Sequence, residues 1–488
     1  MGIKVDHDVV IIGSGFGGIC SAIKLKEAGI DNFVMLEKDP VFGGTWRVNN
    51  YPGAACDIPS HLYSFSFAQN ASWSRLFPRQ DELLEYTKRV VEQHGLLPHL
   101  RLGSALQAAH YDEAGGFWRI RTSQGEMTTR TVISAMGFLG RPSTPKFPGL
   151  ENFQGKAFHS ATWDHSVDLR GKRVAVIGTG ASAVQFIPEI QPLAAQLDSY
   201  QRTAHWVLPR PDRAVSRIEK WLLDRVKPLQ LLYRAMHYVR YESRVVMFVF
   251  APALTRFAQR ESLRHLKRQV PDPALREKLT PRYTIGCKRV LLTSNYYPAL
   301  MQPNVSVQTD GIREVRAHSI VNGKGEERPV DVIIYATGFD TEHAFGPIDI
   351  RGRGGKNFLK VFEDGAGAYK GSTVAGFPNF FMITGPNTGL GHNSMVYMIE
   401  SGTRYVVDAI SRLLKEDLHS VEVKEQVQRD YNHGLQGKLK GTVWSSGCKS
   451  WYLDSRGRNL LLWPGFTFHY RSITKRFDIQ NYIVQGNR

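Results

Sequence analysis

The order of apolar and helical segments is the first feature of this chain. Short apolar runs at residues 9–12 and 32–36 predict buried strands, and a helical pattern at 19–28 lies between them. Runs at 173–177 and 197–201 repeat this order later in the chain. Strands that alternate with helices form parallel sheets. The pattern therefore predicts an α/β protein built from two related units.

Further elements surround these two units. Residues 204–280 break the alternation, because they show helical patterns punctuated by Pro228 and Pro252, and they predict a helical insertion in the second unit. Two short strands beside the first unit would form a small antiparallel layer. The remaining predictions are strands at 105–111, 117–122, 131–136 and 331–339, and helices at 80–95 and from 392 or 393 to 410.

A glycine-rich turn follows the first strand of each unit. In the first unit it reads Gly13-Ser14-Gly15-Phe16-Gly17-Gly18. The first glycine permits the tight turn, the second lets a pyrophosphate approach the backbone, and the third lets helix pack on strand. Glu37 ends the next strand, where a carboxylate can accept the ribose hydroxyls of an adenosine. These signatures predict a Rossmann-like dinucleotide-binding domain.

The second turn reads Gly178-Thr179-Gly180-Ala181-Ser182-Ala183. Alanine is tolerated at the third position, since only close packing is required there. Gln201-Arg202-Thr203 replaces the acid of the first unit. An arginine can pair with a 2′-phosphate that an acid would repel. One turn per cofactor implies two cofactors, and the second is predicted to be NADPH and not NADH.

Two further segments carry candidate chemistry. Residues 43–57 contain glycines and a proline and would be a surface turn in isolation, but after Glu37 they are better placed along the pyrophosphate of the first cofactor. Residues 153–164 follow three prolines and predict an extended inter-domain hinge. The residues of this segment that are candidates for function are Phe153, Gly155, His159, Trp163 and Asp164.

Both segments resemble fingerprints of the type I Baeyer–Villiger monooxygenases. The second matches at Phe153, Gly155, His159, Trp163 and Asp164, and the first at Gly44, Trp46, Tyr51, Pro52, Gly53 and Asp57. The resemblance extends over nearly the whole chain and is weakest at 204–280 and after 410. It implies two cofactors, FAD in the first unit and NADPH in the second. It also implies a reaction in which a C4a-peroxyflavin attacks a ketone to give an ester or lactone, with dioxygen as co-substrate.

The resemblance also implies roles for individual residues. Arg289 would be the catalytic cation beside the flavin, Asp57 would orient it, and His159 and Trp163 would couple NADPH position to domain arrangement. FAD would be held by Gly13, Ser14, Gly15, Phe16, Gly18, Glu37, Lys38, Gly44, Thr45, Trp46, Asp57, Tyr63, Leu106 and Asn387. NADPH would be held by Ala55, Cys56, Asp57, Gly178, Thr179, Gly180, Ala181, Ser182, Ala183, Arg202, Thr203, Lys288 and Arg289.

The same resemblance divides the chain into ranges. Residues 1–140 would be the first part of the FAD domain, 141–165 the hinge, 166–340 the NADPH domain with its insertion, and 341–488 the rest of the FAD domain with a C-terminal segment. Aromatic residues of that segment, including Trp444, Trp451, Tyr452 and Trp463, could frame a substrate pocket.

Three alternative functions share these nucleotide turns. An N- or S-oxygenating flavin monooxygenase would more usually have tyrosine in place of Trp163 and would not need the Lys288-Arg289 pair. A pyridine nucleotide–disulfide reductase needs a closely spaced cysteine pair, which this sequence lacks. A non-enzymatic sensor would not need Arg289.

Charge changes this picture in one region. The net charge is +17, but no nucleic-acid-binding motif is present, and phosphate-rich cofactors use part of it, so no nucleic acid partner is expected. Residues 202–276 contain sixteen Lys and Arg against six Asp and Glu and so carry +10. This segment is either a lid with a solvated basic face or a basic amphipathic surface for peripheral membrane contact.

The remaining signals concern redox state and location. Cys20, Cys56, Cys287 and Cys448 have neither zinc-site nor redox-pair spacing, so reduced thiols and no metal are expected. The start of the sequence leaves no room for a secretion signal, and Asp6 stands where a myristoylation motif needs Ser or Thr. No apolar run is long enough to span a bilayer. We therefore expect a cytoplasmic protein.

Overall fold

The structure is a computed structural model that describes residues 5–341, 346–363, 365, 367–448 and 450–487 of the 488-residue chain. The outermost residues of the predicted first and last ranges, 1–4 and 488, lie outside this set. None of the helices in the described part is long and apolar enough to cross a membrane.

Twenty strands are assigned in the described residues. In chain order they are His7–Ile12 (β1), Phe33–Leu36 (β2), Leu100–Arg101 (β3), Leu106–Asp112 (β4), Phe117–Thr122 (β5), Gly125–Ser134 (β6), Lys156–His159 (β7), Arg173–Ile177 (β8), Gln196–Tyr200 (β9), Val207–Leu208 (β10), Leu291–Leu292 (β11), Val305–Gln308 (β12), Ile312–Arg316 (β13), Ser319–Asn322 (β14), Glu327–Pro329 (β15), Val332–Tyr335 (β16), Asp349–Arg351 (β17), Phe380–Met382 (β18), Leu418–Val423 (β19) and Tyr482–Asn487 (β20).

The α-helices are distributed between and around these strands. They are Phe16–Glu27 (α1), Thr45–Val48 (α2), Gln80–Gln93 (α3), Ala183–Ile190 (α4), Arg217–Arg225 (α5), Lys227–Glu242 (α6), Thr255–Gln269 (α7), Pro273–Lys278 (α8), Tyr296–Leu300 (α9), Phe358–Glu363 (α10), Met395–Lys415 (α11), Glu425–Lys440 (α12) and Thr467–Ile473 (α13). One turn of π-helix covers Val246–Phe250.

The first sheet has the order β17-β4-β5-β6-β1-β2-β3, and β18 pairs with β6. Pairing is parallel between β1 and its neighbours β2 and β6, whereas β4, β5 and β6 run antiparallel. The predicted antiparallel layer is therefore confirmed. The predicted return of the chain through residues 380–387 is also confirmed, because β18 adds a parallel strand beside β6.

The second sheet is parallel, in the order β12-β9-β8-β16-β7. Its edge strand β7 comes from the predicted hinge, and it pairs with β16 in register His159 to Tyr335. Residues 156–159 are thus a strand of the second sheet and not a simple extended linker, because their backbone hydrogen bonds are made within that sheet. The hinge role itself stays a prediction.

The chain between 204 and 280 forms the helices α5 to α8. It also contains β10, which pairs in parallel with β11 just beyond the Arg289 segment. This short ladder fastens the region to the loop that carries Arg289.

Element boundaries differ from the predicted ones by a few residues, with local causes. Helix α1 begins directly after Gly15, because the turn itself supplies the helix N-terminus. Strand β6 begins at Gly125, ahead of the predicted start, because its first half pairs with β5 before its second half enters the parallel core. Its core residues Val132 and Ile133 are fully buried.

Candidate functional site

The first glycine turn is held by close backbone contacts. Gly13 has φ +100°, and a Cβ there would lie 2.7 Å from the carbonyl oxygen of Ala135 at the end of β6. A Cβ at Gly18 would lie 1.9 Å from the carbonyl oxygen of Gly13. Only glycine fits these two positions, since L side chains rarely adopt the first conformation and the second has no space. This is the geometry of a dinucleotide turn.

Glu37 lies against this turn at the end of β2. Its carboxylate accepts hydrogen bonds from the Ser14 backbone N–H at 3.1 Å, the Ser14 hydroxyl at 2.5 Å and the Asp39 N–H at 3.1 Å. The side chain is buried. The role of Glu37 toward a ribose stays a prediction, and the neighbouring Lys38 is exposed to solvent.

The loop 43–57 folds back over the first turn. A Cβ on Gly44, which has φ +56°, would lie 2.7 Å from the Cα of Gly15, so the two backbones meet closely. Thr45 opens the short helix α2, and the indole Nε1 of Trp46 donates to the hydroxyl of Tyr63 at 3.3 Å. Five residues predicted to hold one cofactor thus come together.

The second glycine turn repeats the geometry of the first. Gly178 has φ +107°, and a Cβ there would lie 2.4 Å from the carbonyl oxygen of Ala336 at the end of β16. Ala183 at the third position is fully buried at the start of α4. Gly180, in contrast, has no atom within 4 Å of an added Cβ. The turn therefore opens onto empty space.

That space is a cavity of about 850 Å³. Its wall combines the turn of the second unit with the loop 43–57 of the first unit and with the segment that carries Arg289. The predicted site residues on this wall are Thr45, Trp46, Ala55, Cys56, Asp57, Tyr63, Gly178, Thr179, Gly180, Ala181, Ser182, Arg202, Thr203, Lys288 and Arg289.

Arg289 and Asp57 form a bidentate ion pair on this wall. The Arg289 Nε donates to Asp57 Oδ2 at 2.8 Å, and its second terminal nitrogen donates to Oδ1 at 2.8 Å and Oδ2 at 2.6 Å. Both side chains are about 30% exposed, so solvent screens the pair only in part. The charge of Asp57 raises the pKa of Arg289. The guanidinium is therefore a permanent, oriented cation.

Two further cations lie on the same wall. Burial, and then the charge of Arg202, lower the pKa of Lys288. The ammonium of Lys288 also lies 5.1 Å from the ring centre of Tyr283. Gln201 follows β9 and lines the cavity wall. The next residue, Arg202, also lines the wall and is exposed. Two positive charges close enough to influence each other offer a site for a doubly charged phosphate.

The fingerprint residues lie outside the wall of this cavity. His159 ends β7, its Nδ1 accepts a hydrogen bond from the Ala161 N–H at 3.0 Å, and burial lowers its pKa. A Cβ at Gly155 would lie 2.3 Å from the carbonyl oxygen of Asp331 and 2.5 Å from the ring of Phe153. Asp164 accepts from the Ser166 N–H and hydroxyl. These contacts shape the segment locally.

Trp163 connects the fingerprint with the loop 43–57. Its ring lies 5.2 Å from Phe186 of α4, and Phe186 lies 5.9 Å from Tyr51. The preceding residue of α4, Gln185, accepts from the Tyr51 hydroxyl at 2.9 Å and exchanges hydrogen bonds with the backbone of Ala55. Gln185 was missed by sequence reasoning, because a glutamine after the turn has no distinguishing spacing.

The C-terminal segment closes part of the cavity. Trp451 lines the wall, and its ring lies 4.8 Å from that of Tyr452, a buried residue whose pKa burial raises to about 12. Trp444, Trp463 and Tyr452 belong to one apolar cluster with Phe248 of the π-turn. Of the predicted pocket aromatics, only Trp451 lines the cavity directly.

The expectation of reduced cysteines is wrong for two of the four. Cys287 and Cys448 form a disulfide across 161 residues of sequence, whereas Cys20 and Cys56 are free and buried. The error arose because the pairing depends on the fold and has no short spacing. The bond joins the Arg289 segment to the C-terminal segment that bears Trp451.

Leu106 and Asn387 are among the predicted FAD residues that do not line the 850 Å³ cavity. Leu106 is buried in β4 and faces Thr122 of β5. Asn387 has φ +57°, and its amide nitrogen donates to the carbonyl oxygens of Asn459 and Leu462 at 2.9 and 3.0 Å. Its Oδ1 is buried without a protein partner. Such an atom suits a ligand that donates a hydrogen bond.

Both turns fit a dinucleotide cofactor. Gly15 packs on Gly44 and has no side chain that would keep a phosphate away from the backbone of the first turn. Gly180 of the second turn faces open space on a wall that also carries two cations. Among the residues that the structure describes, no group of three His, Cys, Asp or Glu could hold a metal ion.

The chain is similar in sequence and in structure to known flavin-dependent monooxygenases. The sequence pattern of a family described as pyridine nucleotide-disulphide oxidoreductase matches residues 10–245. A protein of Pseudomonas aeruginosa named Baeyer-Villiger monooxygenase is 52% identical over 97% of this chain and 90% of its own length. A Streptomyces coelicolor protein of the same name is 45% identical over 98% and 92%. A crystal structure of OTEMO in complex with FAD and NADP superposes with a TM-score of 0.90 at 27% identity, covering 99% of this chain and 100% of that one.

Proposed function

Because the chain belongs to the Baeyer–Villiger monooxygenases, we propose that its Arg289–Asp57 pair is the centre at which it oxidises ketones to esters or lactones. The enzyme depends on FAD and NADPH and uses dioxygen. The observation that supports this centre is the bidentate ion pair on a cavity wall that both nucleotide-binding units share.

Arg289 supplies what the reaction needs from the protein. Bound FAD, once reduced by NADPH, supplies the oxygen-activating chemistry, which side chains do poorly. Negative charge then develops on the oxygen that attacks the ketone, and an anion in a poorly solvated site requires a paired cation. Arg289 is such a cation at every accessible pH, and Asp57 fixes the plane of its guanidinium through both oxygens.

The cofactors divide between the two turns. Gly13, Gly15 and Gly18 would hold FAD, with Glu37 binding its ribose, the loop around Gly44 and Trp46 its pyrophosphate, and Asn387 Oδ1 accepting a hydrogen bond from its reactive ring. These assignments are supported by the close backbone approaches and by the unpartnered carbonyl of Asn387. Ser14, Phe16, Lys38, Thr45, Tyr63 and Leu106 complete the proposed FAD contacts.

The second turn would hold NADPH, and Arg202 and Lys288 would pair with its 2′-phosphate. The lowered pKa of Lys288, caused in part by Arg202, supports two cations sharing one anion. Ala55 and Cys56 face the same cavity from the first unit. The nucleotide would thus touch both domains.

The fingerprint couples these domains in our proposal. His159 is fixed in the second sheet, and Trp163 contacts Phe186, which contacts Tyr51 of the first unit. A shift of α4 on NADPH binding would therefore reach the loop that holds Asp57, which is a gating role. Cytoplasmic location and peripheral membrane contact through 204–280 stay predictions from the sequence.

One experiment tests the proposed reaction. The FAD-loaded protein is incubated with NADPH, ¹⁸O₂ and a panel of linear, cyclic and aryl ketones, and separately with thioethers and tertiary amines. We expect esters or lactones that carry one labelled oxygen, and none without NADPH. Sulfoxides or N-oxides formed faster than any ester would favour the N- or S-oxygenating alternative and overturn the proposal.

A further inference from the structure

Helix α6 buries mainly polar residues and exposes apolar ones. Its buried residues are Gln230, His237, Tyr241 and Glu242. The apolar residues lie on the opposite face, where Leu231 is 59%, Leu232 57%, Met236 55% and Val239 63% exposed. A surface helix normally buries its apolar stripe and solvates its polar one. This helix leaves an apolar stripe uncovered.

The polar side of α6 is fixed by hydrogen bonds to the body of the protein. Arg234 donates to the carbonyl oxygens of His61 and Ser64 at 2.6 and 2.9 Å. Glu242 accepts from Asn393 Nδ2 and from the Thr467 hydroxyl. Rotating the helix to bury its leucines would leave these groups unpaired at a cost of several hydrogen bonds. The exposed orientation is therefore built into the fold.

Apolar exposure continues on the neighbouring elements. Ile218 and Trp221 of α5 are 73% and 57% exposed, and α5 packs on α6. Phe250 of the π-turn stacks on Phe466, which stacks on the exposed Phe468. Soluble monomers rarely expose apolar patches of this extent, so such a surface indicates a partner. We call the exposed apolar side chains of 218–257 the apolar surface.

Cations surround the apolar surface. Arg217, Arg225, Lys227, Arg240, Arg256 and Arg260 are exposed, and within the described ranges none of them has an ion-pair partner. Two lie over aromatic rings of the surface, Arg225 over Trp221 at 5.9 Å and Arg260 over Phe257 at 6.0 Å. Aliphatic, aromatic and cationic side chains on one face are typical of helices that lie in a membrane interface.

The charge decides between candidate occupants. A second copy of this chain would bring the same surface to a two-fold contact, so that two segments of +10 would face each other. A nucleic acid would use the cations but leave Leu232, Met236 and Val239 uncovered. An anionic lipid surface satisfies both features, since head groups pair with the cations while apolar side chains enter the acyl boundary.

We propose that α5, α6, the π-turn and the start of α7 dock this protein on the surface of an anionic phospholipid bilayer. The contact lies in the interface plane and does not span the membrane, in keeping with the helix lengths of the described chain. This inference is independent of the proposed function, because none of its residues is assigned to the reaction.

The test is cosedimentation of the FAD-loaded full-length protein with vesicles. We expect binding to vesicles of mixed phosphatidylglycerol and phosphatidylcholine, weak binding to phosphatidylcholine alone, and release as salt rises. The variants Leu232→Gln/Met236→Gln and Lys227→Glu/Arg240→Glu should each weaken binding at least about tenfold. The matched control Arg89→Glu/Lys172→Glu reverses the same kinds of charge elsewhere and should bind like wild type.

Folding and self-association are measured on the same samples. Flavin content and thermal midpoint should be unchanged in every variant, because the altered side chains are exposed or partly exposed. Equal binding of wild type and Leu232→Gln/Met236→Gln would overturn the proposal, as would absence of binding to anionic vesicles. A concentration-dependent dimer in sedimentation velocity that Leu232→Gln/Met236→Gln abolishes would also overturn it and assign the surface to a second copy.

Discussion

The two nucleotide-binding units share one backbone design but enclose their ligands differently. In both, the first glycine of the turn meets the carbonyl oxygen that ends a neighbouring strand, Ala135 in the first unit and Ala336 in the second. The first turn is then covered by Gly44, whereas Gly180 in the second faces an open cavity. The same turn is thus covered by backbone in one unit and open to a cavity in the other.

The difference suits the chemistry of the two cofactors. FAD must stay bound through many turnovers, while NADPH must enter and leave. The charges follow the same division, since Glu37 is buried beside the first turn and Arg202 is exposed beside the second. Enclosure and charge, and not the fold of the turn, separate a resident cofactor from an exchanging one.

The largest effect is expected at the third position of the turns. Gly18→Ala would place a methyl group 1.9 Å from the carbonyl oxygen of Gly13, and backbone on both sides cannot yield. We expect a loss of about 3 kcal/mol or more and loss of bound flavin. The matched change Ala183→Gly in the second unit should cost only about 1 kcal/mol. Flavin absorbance per chain and thermal unfolding measure both, and flavin-replete Gly18→Ala at wild-type stability would contradict the packing argument.

The sequence predicts such positions well because their requirement is local. A glycine with positive φ next to a strand end is needed wherever this turn forms, so residues 13–18 and 178–183 could be identified from the glycine spacing together with the strand and helix patterns on either side. Burial of β1 and β8 follows from their apolar runs in the same way.

Contacts between distant segments could not be predicted in this way. The Gln185 bridge to Tyr51 and Ala55 and the disulfide between Cys287 and Cys448 join residues more than 100 positions apart without any periodic signal. The orientation of α6 is a third case. Its apolar spacing predicts a helix but not which face is buried, because hydrogen bonds of Arg234 and Glu242 decide that.

The next effect is expected where the two units meet. Arg289→Ala should lower ester formation by about 100- to 1000-fold, as for removal of one charge-stabilising group. NADPH oxidation should persist, since both turns remain intact, and should release hydrogen peroxide. Asp57→Ala should give a milder form, because it removes the orienting partner and leaves the cation. Product analysis alongside NADPH consumption separates these quantities; near-normal ester formation by Arg289→Ala would place the reaction elsewhere.

A smaller effect should distinguish the second unit as the NADPH site. Arg202→Ala removes one charge-assisted contact, which contributes about 1.5 to 3 kcal/mol, and should lower the preference for NADPH over NADH at least tenfold in kcat/KM. Arg282→Ala is the control, because Arg282 is an exposed cation of the same region paired with Glu277. Equal loss in both variants would mean that general charge, and not Arg202, selects the cofactor.

The smallest effect is expected from the carboxylates that connect neighbouring strands of each sheet by hydrogen bonds. Asp6 beside β1 accepts from the Thr128 N–H and hydroxyl, whereas Asp331 beside β16 accepts from Arg173 at the start of β8. The Arg173 guanidinium lowers the pKa of Asp331 to about 2. A carboxyl whose pKa is lowered on folding contributes stability above its unfolded pKa of about 3.8 and loses it as pH falls toward the folded value.

The Arg173–Asp331 contribution should therefore be present at pH 7 and disappear between about pH 4 and pH 2. Both side chains are a third or more exposed, so we expect no more than about 1 kcal/mol. A double-mutant cycle of Arg173→Ala and Asp331→Asn, followed by urea unfolding at several pH values, measures the coupling directly. A coupling near zero at pH 7 would show that the hydrogen bond from the Arg173 backbone N–H, which Arg173→Ala leaves in place, and not the guanidinium, holds the two strands together.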